Sequence, residues 1–203
     1  TNSIALGTVT AAKVAIMTEG ALTYLLDLAR CSNLETRRAA VYALGSLAEH
    51  EGVKSRLIDM GAIPQIIANI SSTDIETKRA AGYFLALVAE HVEFHDDLSR
   101  DGGLPAIIQL ATLGDIECQE YATFALAHLA SNREYQVPLV NLGAVKPLVA
   151  IMSTDAEPKH YAGLALLKLA DNFENHLKIA EEGGIQALLR LGRTRSTDEQ
   201  LQF

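Results

Sequence analysis

Apolar side chains recur along the chain at two helical spacings, and their alternation predicts its elements. After each of Gly20, Gly61, Gly102, Gly143 and Gly183, aliphatic residues fall at the 0, 3, 4 spacing of one helix face: Leu22/Leu25/Leu26, Ile63/Ile66/Ile67, Leu104/Ile107/Ile108, Val145/Leu148/Val149 and Ile185/Leu188/Leu189. A longer segment follows with a 0, 3, 4, 7 stripe, seen as Ala40/Ala43/Leu44/Leu47, Ala81/Phe84/Leu85/Val88, Ala122/Ala125/Leu126/Leu129 and Ala162/Ala165/Leu166/Leu169. A short helix ahead of each glycine is anchored by Ile16, Leu57, Leu98, Leu139 and Ile179 at matching positions. The marker glycines are 41 residues apart three times and 40 once, and a fixed period of that size means stacked units rather than one globular core. Alanine at the head of each long stripe lets neighbouring helices approach to about 8 Å.

Polar residues punctuate this pattern. Ser71-Ser72-Thr73-Asp74 and Ser153-Thr154-Asp155 read as loops with caps, and an acidic residue at the next helix start suits its dipole. Pro64 and Pro105 fall in the first turn of the medium helix and Pro147 one residue later, where a missing N–H costs little. Each marker glycine is expected at positive φ, turning the chain between the short and medium helices. One repeat domain over 1–203 results, with a partial repeat 1–19, full repeats 20–60, 61–101, 102–142 and 143–182, and a partial repeat 183–203. Ala5-Leu6-Gly7-Thr8-Val9 matches Ala43-Leu44-Gly45-Ser46-Leu47, so the chain is expected to begin inside a long helix; Ser196 to Phe203 reads as the opening of another. Neither end has the polar outer face of a capping unit, which predicts a segment of a longer array, or ends that self-associate or are covered by another chain.

Composition narrows the function. A net charge of −8 argues against nucleic acid as a partner, and no apolar run is long enough for direct membrane insertion. No secretory signal is seen, so a cytoplasmic location is expected, with nuclear or membrane-peripheral placement only through parts outside this chain. Asn69-Ile70-Ser71 matches a glycosylation acceptor that such a location would leave unused. Cys31 and Cys118 occupy unrelated repeat positions and suggest neither a disulfide nor a metal pair. Gly-rich phosphate loops, His-Glu-x-x-His helices and nucleophile elbows are all missing. The chain is therefore expected to be no enzyme, with no catalytic, metal or cofactor-binding residues and no cofactors. The repeated Glu49-His50 and Glu90-His91 pairs read as helix ends.

Three helices per unit of about 41 residues, and wording such as GAIPQIIANI at 61–70 with TKRAAGYFLALVAEH at 77–91, resemble the armadillo repeat of β-catenin, importin-α and armadillo-only proteins. Tetratricopeptide and ankyrin units are shorter, and HEAT units have two helices. The resemblance covers essentially the whole chain and implies an all-α, right-handed α-solenoid whose third helices line a concave groove for an extended peptide. At the position of the groove asparagine in importin-α-like repeats stand Ser46, Leu87, His128 and Lys168; four earlier, in place of tryptophan, are Tyr42, Tyr83, Phe124 and Leu164. Eight earlier are Arg38, Arg79, Glu120 and His160, and four later His50, His91, Asn132 and Asn172. Steps of four keep these near one helix face.

The resemblance implies a protein-interaction scaffold. Leu87 and Lys168 cannot grip a peptide backbone as an amide does, which disfavours an importin-α-like receptor for nuclear-import signals. Arg38 and Arg79, with Arg37 and Lys78 beside them, suit an acidic or phosphorylated segment at the N-terminal half of the groove. Helix pairing with Glu35 and Glu76 is the plainer role for these arginines, and packing between third helices the plainer role for Tyr42, Tyr83 and Phe124. A purely structural, self-associating array is the remaining alternative.

Overall fold

The computed structural model describes residues 20–200, with side chains as far as Arg193. Every regular element among the described residues is helical. Two compact units divide the chain between Val88 and Ala89. The first holds α1 (Ala21–Leu28), α2 (Leu34–Ala48), α3 (Glu51–Asp59) and α4 (Ala62–Ala68), and α5 (Ile75–Ala89) ends at the division. The second holds α6 (His95–Arg100), α7 (Gly103–Ala111), α8 (Ile116–Ser131), α9 (Arg133–Asn141), α10 (Val145–Met152), α11 (Lys159–Ala170), α12 (His176–Glu181) and α13 (Gly184–Gln200). Short 3-10 turns at Val92–Phe94 and Phe173–Asn175 lead into α6 and α12. Two shorter helices and one long one thus alternate on either side of each glycine turn, but the helix before the glycine is not always the shortest: α3 and α9 have 9 residues each, against 7 in α4 and 8 in α10. The expectations for residues 1–19, including Ile16, lie outside the described residues.

Local chemistry explains where the helices start. Asn33 caps α2 by accepting from the Thr36 N–H at 2.9 Å, and Asp115 caps α8 by accepting from the Cys118 N–H at 3.0 Å. Asp74 does the same for α5, accepting from the Thr77 N–H at 2.9 Å and the Thr77 hydroxyl at 2.6 Å. Glu35, Glu76 and Glu117 sit in these first turns, where the helix dipole favours negative charge. The pattern fails in the fourth full repeat. Helix α11 has no acidic residue in its first turn and starts only at Lys159, after Pro158. Proline disfavours helical geometry in the residue before it and brings no N–H, so the loop after Ser153 runs longer and the helix is shorter.

Gly20, Gly61, Gly102, Gly143 and Gly183 all have positive φ, between 68° and 90°. A side chain there would be strained, so glycine sets the turn into each medium helix. Leu57, Leu98 and Leu139 are fully buried and Ile179 almost so, as are the Leu and Phe members of the long stripes. Each such side chain contributes about 2 kcal/mol through water removed from its surface. Buried amides tie successive repeats together within each unit. Asn69 Nδ2 donates to the carbonyls of Ala29 at 3.2 Å and Gln65 at 2.9 Å, and Asn175 Nδ2 donates to those of Gln136 at 3.2 Å and Leu169 at 2.8 Å.

The last unit departs from expectation. No loop separates a medium helix from a new long one near Ser196; α13 runs from Gly184 through Gln200 without a break. The loop positions that carry Ser72 and Thr73 in the second repeat carry Thr194 and Arg195 here, next to Arg193, and arginine is a good helix former. No long helix folds back over α13 among the described residues, so Ile185 and Leu189, expected in the core, are 50% and 59% exposed.

Candidate functional site

In the first unit, α2 presents Arg38, Tyr42 and Ser46 along one face, and α5 presents Arg79, Tyr83 and Leu87. All six are at least partly open to solvent, and Tyr42 is 64% exposed. A hollow of about 300 Å³ opens here, lined by Arg38, Ala39, Tyr42, Glu76 and Ala80. Its charges are not free. Arg79 Nη1 lies 3.0 Å from Glu76 Oε1, and Arg38 Nη1 lies 3.9 Å from Asp74 Oδ1 rather than on Glu35. Asp74 is held below the usual carboxylate range, first by the Thr77 hydroxyl and amide it accepts from, with Arg38 and Arg37 adding to the effect. Tyr83 is committed to packing as well as exposure: its O–H donates to Glu49 Oε1 at 2.8 Å, and its ring lies so close to Gly45 that a Cβ there would meet it at 3.0 Å.

In the second unit the corresponding face is aromatic. Glu120, Phe124 and His128 lie on α8, and His160, Leu164 and Lys168 on α11. Helices α8 and α11 pack directly together. The Phe124 ring packs against His128 at 4.5 Å with the planes tilted by 46°, and meets Tyr161 edge-on at 5.2 Å. Burial lowers the pKa of His128, against the pull of Glu90 and with help from His95 and His91. The imidazole is therefore neutral at pH 7 and able to accept as well as donate. Tyr161 was not singled out by steps of four because it stands seven residues before Lys168; the matching residue of the previous repeat, Tyr121, carries the same signal.

The last row is not on the helix face at all. His50 and His91 are extended N-cap residues of the elements that follow, α3 and the turn at Val92–Phe94. Asn132 and Asn172 occupy the equivalent places, and each uses its side chain as a cap, accepting from the Glu134 N–H at 3.1 Å and the Glu174 N–H at 3.0 Å. Counting on by four assumed that the long helix continues. It ends first, at Ala48 and Ala89, because the chain turns into the next element, so the Glu49-His50 and Glu90-His91 pairs do stand at helix ends. His91 Nδ1 lies 3.5 Å from Glu93 Oε1. Among the described residues no three His, Cys, Asp or Glu side chains are grouped to hold a metal.

A second periodic set escaped the sequence reading. His95, Gln136 and His176 stand seven residues before their marker glycines, and each places a side-chain nitrogen on the terminal carbonyls of the preceding long helix: Ala89 at 2.8 Å, Ala130 at 3.0 Å and Ala170 at 2.9 Å. These polar contacts satisfy carbonyls that the helix leaves open.

Several solved structures with this arrangement of helices are engineered proteins. A computationally designed armadillo repeat protein for modular peptide recognition superposes with a TM-score of 0.83 at 26% identity, over 88% of this chain and 77% of its own. A designed armadillo repeat protein in complex with the peptide (KR)4 gives 0.80 at 27% identity over the same shares, 88% and 77%. The fold is the armadillo repeat. A further engineered protein gives 0.80 at 29% identity, over 89% of this chain and 75% of its own. No protein-family model matches the sequence, and no curated protein does. In armadillo terms the partly exposed rows lie on third helices, while the Asn and His row belongs to the junction with the next repeat.

Proposed function

We propose that this armadillo array is a scaffold that binds extended segments of partner proteins along the exposed faces of its third helices. The observation that carries the reading is the row of large, partly exposed side chains on those helices, Tyr42 beside Arg38 in the first unit and Phe124, Tyr161 and Leu164 in the second. Aromatic and arginine side chains supply most of the energy in protein recognition, commonly about 2 kcal/mol or more at each dominant contact. Structural neighbours designed for peptide recognition support the same class of function. The role is binding rather than catalysis, in the cytoplasm.

The segment suited to the first unit is acidic or phosphorylated, because two guanidinium groups lie on that face, Arg38 at 3.9 Å from the partly buried Asp74 and Arg79 in a helix pair with Glu76. A nuclear-import signal, rich in Lys and Arg, meets like charge there. Self-association has its own support in the second unit, where Ile185 and Leu189 leave an apolar strip of α13 uncovered. The two readings are separated by two measurements. Arg38→Glu with Tyr42→Ala should weaken an acidic peptide at least tenfold by fluorescence anisotropy, with helicity unchanged; retained affinity removes the peptide-binding reading. Concentration-dependent mass that Ile185→Glu abolishes would establish association between copies.

A further inference from the structure

On a different side of α2 from Arg38 lies a second hollow of about 430 Å³, lined by Ala29, Arg30, Arg37, Ala68, Asn69, Ser71, Ser72 and Thr73. Its chemistry is one-sided. The wall holds two guanidinium groups and three hydroxyls and contains no carboxylate. Arg37 reaches the Cys31 carbonyl with Nη1 at 3.5 Å, while its Nε is buried without a hydrogen-bond partner. A buried guanidinium N–H left open costs free energy that an anion would recover. Ser72 Oγ accepts from the Asp74 N–H at 3.1 Å, which leaves its own proton free to donate. The base is rigid, since both amide protons of buried Asn69 are used on the Ala29 and Gln65 carbonyls. Arg30 is held only by an exposed pair with Asp27 at 2.9 Å. Such a pair is weak enough for the guanidinium to turn inward.

We propose that this hollow binds a phosphate group. A carboxylate offers two oxygens in one plane, whereas a phosphate monoester offers three around a tetrahedral centre and nearly two charges at pH 7, which matches donors arriving from α2 on one side and from the 71–73 loop on the other. Asp74 stands close enough to Arg37 to lower its effective field, though it does not line the hollow. The expected affinity for inorganic phosphate is therefore modest. The site is separate from the third-helix face, and its test does not depend on peptide binding there.

Titrating the whole chain with inorganic phosphate, against chloride at equal ionic strength, should shift the Arg37 Nε–H resonance saturably and raise the melting temperature. Arg37→Gln should weaken that response at least tenfold. Thr73→Glu, at an exposed wall position where the fold is insensitive, should do the same by adding a carboxylate, while Arg133→Gln should leave it unchanged. A non-saturating shift, or a response that survives both Arg37→Gln and Thr73→Glu in folded protein, overturns the proposal. A phosphoserine peptide that binds tenfold more tightly than inorganic phosphate, with the loss in Arg37→Gln preserved, identifies a phosphorylated segment as the source; equal affinities identify the free anion.

Discussion

The two units share one repeat and differ in what they offer. The first presents arginine and tyrosine, each arginine restrained by a carboxylate of the Asp74–Glu76 segment. The second presents a cluster of Phe124, His128 and Tyr161, with the histidine kept neutral by burial. The stripes that build the core are nearly the same in both, so the difference rests on side chains that contribute little to folding. A repeat scaffold separates stability from recognition in this way because each helix has one face committed to its neighbours and another free to vary.

Core substitutions give the strongest test of whether the units also stand apart energetically. Leu57→Ala in the first and Leu139→Ala in the second each empty a fully buried site, and each should cost about 2 to 5 kcal/mol in urea denaturation. If the units unfold separately, each variant will shift one transition only; a common shift would merge them. Next come the buried amides. Asn69→Ala and Asn175→Ala each strand two carbonyls, so a loss of about 1 to 3 kcal/mol is expected at each. Gly61→Ala and Gly143→Ala force a left-handed residue where nothing crowds the new methyl, and melting curves should register about 1 to 2 kcal/mol of backbone strain.

Extremes of pH should weaken the units from opposite sides. Asp74 titrates lower in the folded first unit than unfolded, so its contribution is complete above the ordinary carboxylate pKa near 3.8 and is lost as pH falls further. Tyr135 in the second unit is pushed up to about 12, by burial first and then by its hydrogen bond to Asp96. Its contribution is complete below the ordinary phenol value of 10 and is lost as pH rises through about 12. Asp74→Asn should blunt the acid-side loss, and Tyr135→Phe the alkaline one, each followed by circular dichroism against pH. The smallest effect is expected on the faces. Tyr42→Ala should change stability by no more than about 0.5 kcal/mol, whereas Phe124→Ala should lose about 1 kcal/mol of ring contact, a difference that marks the second face as the more structural.

Local patterning carried the helices into the sequence plainly. The 0, 3, 4, 7 stripes, the capping residues Asn33 and Asp115, and the positive-φ glycines each depend on a few neighbouring residues, so their spacing alone is sufficient. The candidate face was half legible. Steps of four found Arg38, Tyr42, Phe124 and His128, but carried His50, His91, Asn132 and Asn172 past a helix end that the step cannot see. Tyr161 went unmarked because its importance lies in meeting Phe124 from a different helix.

What the sequence by itself determined is the period, the number of helices in a repeat and which side of each helix is apolar, since these follow from backbone geometry and the positions of aliphatic residues. Tertiary structure alone decided the partners of the polar groups. Arg38 meets Asp74 rather than Glu35, Tyr83 reaches Glu49, Arg37 retains an open donor beside three hydroxyls, and α13 continues where a loop was expected. Long polar side chains have several rotamers within reach of several partners, and only the packed neighbours choose among them.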